Sequence, residues 1–149
     1  MHDQNKKVIN ILIVDDHEIT RMGVKALFES EPNLTMISET GSFNHALQLT
    51  QQYRPDIILL ELKLSDDSIT ERIPELLSVC PSCKILVFTE SANHQTHLSA
   101  LRLGAVGVFV KSKSAGLLLE AIQSVYSGEV WFENSLASDL LQCYKHNVS

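Results

Sequence analysis

Four apolar runs punctuate the chain, and each gives way to a polar group able to do chemistry. Ile11-Leu12-Ile13-Val14 leads into Asp15-Asp16, Ile57-Ile58-Leu59-Leu60 into Glu61, Ile85-Leu86-Val87-Phe88 into Thr89, and Val106-Gly107-Val108-Phe109-Val110 into Lys111. Unbroken runs of Val, Ile and Leu are the pattern of strands buried on both faces, as parallel sheets require. With Leu34–Glu39, they predict strands over Val8–Val14, Leu34–Glu39, Asp56–Leu62, Lys84–Thr89 and Val106–Lys111. Between them the apolar spacing becomes helical, over His17–Ser30, from Ser42 or Asn44 to Tyr53, and over Ile69–Val79, Asn93–Leu103 and Ala115–Ser127. In the first helix Ile19, Met22, Gly23, Ala26 and Leu27 share the face expected to be buried. Pro74 lies inside the third helix, so an irregular first turn is expected there.

Strand–helix units recurring about every twenty-five residues imply right-handed crossovers and a doubly wound, five-stranded α/β sheet with five flanking helices. A tail follows. Asn134 or Ser135 would cap a sixth helix, whose Leu136, Leu140, Leu141 and Tyr144 form an amphipathic stripe wanting a partner surface. The chain thus divides into a domain over 1–128 and a C-terminal linker helix over 129–149.

Composition changes this picture little. At 149 residues, 44% hydrophobic and 20% charged, the chain can bury one proper core. A net charge of -6 without a dense Lys/Arg cluster makes it a poor nucleic-acid binder by itself. No apolar run reaches membrane-spanning length and the start lacks a signal-peptide core, so a cytoplasmic protein that does not insert into membranes is expected. Three cysteines argue against a disulfide framework, and Cys80-Pro81-Ser82-Cys83 reads as a loop. His94 and His97 read as a solvated helix turn rather than a metal clip.

If the strands lie parallel, their carboxyl ends share the edge where open α/β sheets build their sites. Asp15, Asp16 and Glu61 would then form an all-oxygen set suited to Mg²⁺. Lys111 and Thr89 would suit an anion, above all a phosphoryl group, as charge partner and hydroxyl donor. No Gly-rich loop follows the first strand, which speaks against a nucleotide phosphate cradle.

Asp15-Asp16-His17, Pro55-Asp56-Ile57-Ile58-Leu59-Leu60 leading to position 61, Thr89, Leu103-Gly104-Ala105-x-Gly107 and Lys111 together resemble a response-regulator receiver domain of two-component signalling, over roughly residues 8 to 128. Lys111-Ser112 and Gly128-Glu129-Val130-Trp131-Phe132 resemble the NarL/FixJ branch, which carries a LuxR-type helix-turn-helix effector. The resemblance implies a flavodoxin-like sheet in 2-1-3-4-5 order, with helices one and five on one face and two, three and four on the other. It implies Mg²⁺ held by Asp15, Asp16, residue 61 and the Lys63 carbonyl, a phosphoacceptor at 61, and a phosphoryl group met by Thr89 and Lys111. It also implies a histidine kinase as phosphodonor, transcription regulation as output, and a homodimer. DNA would be reached only through a helix-turn-helix domain, absent here and needing about sixty further residues.

The sequence departs from that family where the chemistry lies. The acceptor position holds Glu61 in place of Asp, Ser65 replaces an expected proline, Ile69 an expected glycine, and Glu90 an expected small residue after Thr89. The aromatic switch position is Val108, with Phe109 displaced to the opposite face of its strand. Glu61 reaches about 1.5 Å further than Asp would, toward Lys111, and Glu90 puts an anion at the site mouth. These changes describe a degenerate receiver, not an enzyme, phosphorylated poorly if at all. A fully operative Mg²⁺-dependent phosphoacceptor is the alternative. A Mg²⁺-dependent phosphoryl-transfer enzyme is a third, although Asp15-Asp16-His17-Glu18-Ile19-Thr20 lacks the Asp-x-Asp-x-Thr arrangement of such enzymes.

Overall fold

The computed structural model describes residues 7–133 and 136. The apolar runs form a parallel sheet of β1 (Ile9–Val14), β2 (Leu34–Thr40), β3 (Ile57–Leu60), β6 (Lys84–Thr89) and β7 (Gly107–Val110), in the order β2-β1-β3-β6-β7. That is the expected doubly wound order. Its register aligns Val14 with Leu60, Leu60 with Val87, and Thr89 with Val110, so the four strand ends that precede the polar groups stand side by side.

Alternate residues supply two cores, because successive side chains leave a strand on opposite faces. Leu12, Val14, Ile58, Leu60, Ile85, Val87 and Val108 face α2 (Phe43–Tyr53), α3 (Ile73–Val79) and α4 (His94–Arg102). Ile11, Ile13, Leu59, Leu86, Phe88 and Phe109 face α1 (Glu18–Glu29) and α5 (Ala115–Tyr126). Side-chain caps start three helices where the sequence offers them: Ser42 accepts from His45 N–H, Asn93 from Thr96, and Ser114 from Leu117. The irregular turn expected around Pro74 is a 3-10 turn over Thr70–Arg72, which hands over to α3 at Ile73.

Three expectations are corrected. In α1 the buried residues are Val24 and Phe28, whereas Ile19 is 84% and Met22 60% exposed. Two apolar stripes run along that helix, and the docked orientation seats the one carrying the phenyl ring, whose burial removes more surface from water. The Cys80 and Cys83 sulfurs are joined, since the turn closed by Cys83 N–H on the Cys80 carbonyl (3.1 Å) brings their Cα atoms to 5.5 Å. His97 is buried, its Nε2 2.8 Å from the Ser91 carbonyl, and is no part of a solvated turn.

One element has no strong local signature. β4 (Lys63–Leu64) and β5 (Asp67–Ser68) form a hairpin after β3, joined by Ser65 and Asp66 at φ 50° and 67°. Two positive φ values suit a tight hairpin turn, which sequences usually announce with Asn-Gly or Asp-Gly. On α5, Leu117, Leu119 and Tyr126 are half-buried against their own core, leaving less uncovered surface than their spacing suggested. Of the expected sixth helix, Leu136 is buried and its N–H meets the Glu133 carbonyl at 2.9 Å. Asn134, Ser135, Leu140, Leu141 and Tyr144 lie outside the described residues.

Candidate functional site

Backbone hydrogen bonds carry the sheet one step past its strands and so fix where each polar side chain begins. Asp15 N–H donates to the Thr40 carbonyl (2.9 Å), Glu61 N–H to Val14 (3.0 Å) and Lys111 N–H to Thr89 (2.8 Å). Asp15, Glu61 and Thr89 are all buried.

Lys111 is the hub. Its Nζ lies 2.6 Å from Asp15 Oδ2 and 3.0 Å from Glu61 Oε1. Burial by itself would lower the ammonium's pKa, but hydrogen bonds and charge from Asp15 and Glu61 outweigh it and hold the value above the ordinary lysine range. Glu61 Oε1 also accepts from Glu90 N–H (3.3 Å), and Oε2 turns back to accept from Leu62 N–H (2.7 Å). Both Glu61 carboxylate oxygens are thus engaged.

Asp15 Oδ1 accepts from His17 N–H (2.9 Å), and Arg21 Nη1 donates to the Asp15 carbonyl (2.6 Å) while its Nε holds Glu39 (2.8 Å). Asp16 differs. Its Oδ2 accepts from Ser65 N–H (2.9 Å), but Oδ1 is buried without a hydrogen-bond donor, the His17 Nδ1 standing 3.5 Å away. A buried, unmatched carboxylate oxygen is what a cation would satisfy. Among the described residues, Asp15, Asp16 and His17 can bring ligand atoms within 4.8 Å of one another; Glu61 does not join that group.

A cleft of about 410 Å³ opens above these groups, lined by Asp16, His17, Glu61, Lys63, Thr89 and Glu90 among others. Thr89 Oγ1 accepts from Ser91 N–H at 3.2 Å. Lys63 is exposed on the hairpin at the rim, as is Glu90 across from it. Val108 is buried on the α2–α4 face, away from Phe109, whose ring packs on Phe88 at 5.9 Å between centroids.

The expected residues Asp15, Asp16, Glu61, Thr89, Glu90 and Lys111 therefore share one strand-end crevice. Sequence reasoning missed Ser65, Arg21 and Ser91. Ser65 did carry a signal, as the departure from an expected proline: only a residue with an N–H can reach Asp16, and proline cannot adopt φ 50°.

A family model described as the response regulator receiver domain matches residues 11–123. Similar curated proteins include the transcriptional regulatory protein DegU of Brevibacillus brevis, 29% identical across 100% of this chain and 64% of that protein. The DNA-binding transcriptional activator DevR/DosR of Mycobacterium tuberculosis is 31% identical over 90% of this chain and 62% of its own length. The nitrate/nitrite response regulator protein NarL of Escherichia coli is 29% identical, with 96% and 66% covered. This chain thus spans a little under two thirds of the length of these relatives. A LuxR-family two-component response regulator from an Aurantimonas species superposes with a TM-score of 0.82 at 26% identity, over 96% of this chain and 100% of that one. Residues, fold and similarity agree: the chain belongs to the response regulator receiver domain family, with relatives of the NarL and LuxR type.

Proposed function

We propose that this receiver is held in one state by its own glutamate and does not take up a phosphoryl group at position 61 in the family's usual way. The observation that carries the reading is the pair of ion contacts from Lys111 Nζ, 3.0 Å to Glu61 Oε1 and 2.6 Å to Asp15 Oδ2. A phosphoryl group on residue 61 would need Lys111 as its charge partner, and Glu61 already has it. To attack phosphorus, Glu61 Oε1 must give up Lys111 and the Glu90 amide, or Oε2 the Leu62 amide. Phosphoryl transfer depends mostly on positioning, and an error of about 1 Å can cost on the order of a hundredfold. Glu90 adds an anion on the approach of a phosphodonor.

Mg²⁺ fits the remaining donors. Asp15 and Asp16 would hold it, with the unmatched Asp16 Oδ1 as the ready ligand and the Lys63 carbonyl as a further oxygen, while Glu61 stays engaged by Lys111 and the Leu62 and Glu90 amides. When bound, the ion would supply neutralising charge to an incoming phosphoryl group. The wider reading is a receiver over 1–128 followed by a linker over 129–149, in a cytoplasmic regulator that pairs two-fold, answers to a histidine kinase and reaches DNA through a separate helix-turn-helix domain; the relatives named as transcriptional regulators and a DNA-binding activator support its output.

The test is intact mass after incubation with Mg²⁺ and acetyl phosphate or phosphoramidate. Mass should stay unchanged for the natural chain, and Glu61→Asp with Glu90→Ala should restore labelling. Uptake of one phosphoryl group by the natural chain, lost in Glu61→Gln, would refute the reading and favour an operative phosphoacceptor.

A further inference from the structure

β7 is the last strand of the sheet, and its outer edge is already taken. After α5 the chain turns at Gly128, whose φ of 98° suits glycine, and returns as an extended segment. Trp131 pairs in parallel with Gly107: Val108 N–H donates to the Trp131 carbonyl (2.8 Å) and Trp131 N–H to the Val106 carbonyl (3.1 Å). A Cβ at position 107 would stand 2.9 Å from the Trp131 carbonyl oxygen, 3.0 Å from Trp131 Cβ and 3.0 Å from Leu86 Cδ1. Gly107 is thus kept free of a side chain by the crossing segment together with Leu86 of the neighbouring strand. A second tie joins Lys113 Nζ to Glu133 Oε1 at 3.5 Å, just beyond the strand end.

We propose that residues 129–133 form a strap that reads the state of the Lys111 cluster through the edge of β7. The strand between the two is only Gly107–Val110, rigidly paired to β6 along one side. Lys111 is anchored at its end by backbone to Thr89 and by side chain to Asp15 and Glu61, so a change at those carboxylates pulls on the same short strand whose other edge the strap holds. Val108 is itself buried, and its backbone N–H holds the strap. A cleft of about 400 Å³, lined by Val108, Phe109, Val110, Leu117, Trp131 and Phe132, leaves the strap's side chains room to shift against α5. The proposal does not depend on whether Glu61 accepts a phosphoryl group.

Trp131 is the only tryptophan, so its fluorescence reports the strap directly. Hydrogen exchange at the Val108 and Trp131 amides, each divided by that of Leu59 in the central strand, separates strap release from general loss of stability. Gly107→Ala gives the released reference. In Lys111→Met the two ratios should rise about tenfold, with a red-shifted emission, and in Glu61→Gln, which keeps the Asp15 contact, they should rise less. Both variants alter the cluster without touching the strap, and Glu61→Gln serves where Lys111→Met does not fold. Unchanged ratios and emission in the folded variants would overturn the coupling, and unprotected Val108 and Trp131 amides in the natural chain would overturn the strap itself.

Discussion

Replacing Lys111 by Met removes the ammonium that contacts two buried carboxylates. Asp15 is fully buried and the Glu61 side chain 5% exposed, while the lysine side chain is itself only 11% exposed. The methionine fills most of the stem's volume, so the loss is electrostatic rather than steric. Truncating one partner of a buried pair typically costs about 3–5 kcal/mol, since a desolvated charge is left behind. Backbone donors from Leu62, Glu90 and His17 still reach the two carboxylates and place the expectation at the lower end. For a chain of this size each kcal/mol lowers Tm by about 2–4 °C, so a fall on the order of 10 °C is expected. Urea unfolding measured as a double-mutant cycle isolates the pair. Glu61→Gln removes the charge that Lys111→Met strands, so the double variant should be less destabilised than the sum by about 1–3 kcal/mol. Additivity within about 0.5 kcal/mol would show that Lys111 and Glu61 do not interact, and the locked site would fall with it.

Lys111 also sets a pH response: its folded pKa lies above the ordinary 10.5, so its stabilisation is complete below that pH and is lost as pH rises through the folded value. Stability should therefore fall as pH rises above 10.5, and by less in Glu61→Gln, where one of the contacts that raises the lysine is weakened; an equal fall in that variant would contradict the assignment. Ser65→Pro should destabilise by at least about 1 kcal/mol, because proline fits neither the positive φ nor the N–H bond to Asp16; a neutral or higher Tm would refute that account of the hairpin. Light scattering at tens of micromolar should give a dimer mass, since Ile19 and Met22 leave apolar surface on α1 and Leu119 is only half-covered; a monomer at every concentration would remove pairing from the proposal.

The strands and the shared crevice were legible because they follow from local rules, while the strand order came from the family resemblance. A buried parallel strand must be apolar throughout, its crossover must be right-handed, and residues following neighbouring strand ends must meet. Asp15, Glu61, Thr89 and Lys111 could therefore be placed together from the apolar runs alone, and the period of two separated Val108 from Phe109. Which stripe of α1 goes inward was not legible, since Ile19-Met22-Ala26 and Val24-Phe28 both have helical spacing and only docking chooses between them. The Ser65–Asp66 turn, the Cys80–Cys83 bond and the Trp131 pairing likewise lack a decisive local pattern. The turn and the cysteine bond are closed by local backbone geometry that several sequences could adopt, whereas the Trp131 pairing arises where tertiary packing brings distant backbone groups into reach. Lys111 shows both sides: Glu61, 50 residues away, was expected to reach it, but the shorter contact to Asp15, 96 residues away, appears only once the closed sheet brings both carboxylates within hydrogen-bond reach of one ammonium. Sequence periodicity determines which face of an element a residue occupies, while the distances that decide its chemistry belong to the packing of elements against one another.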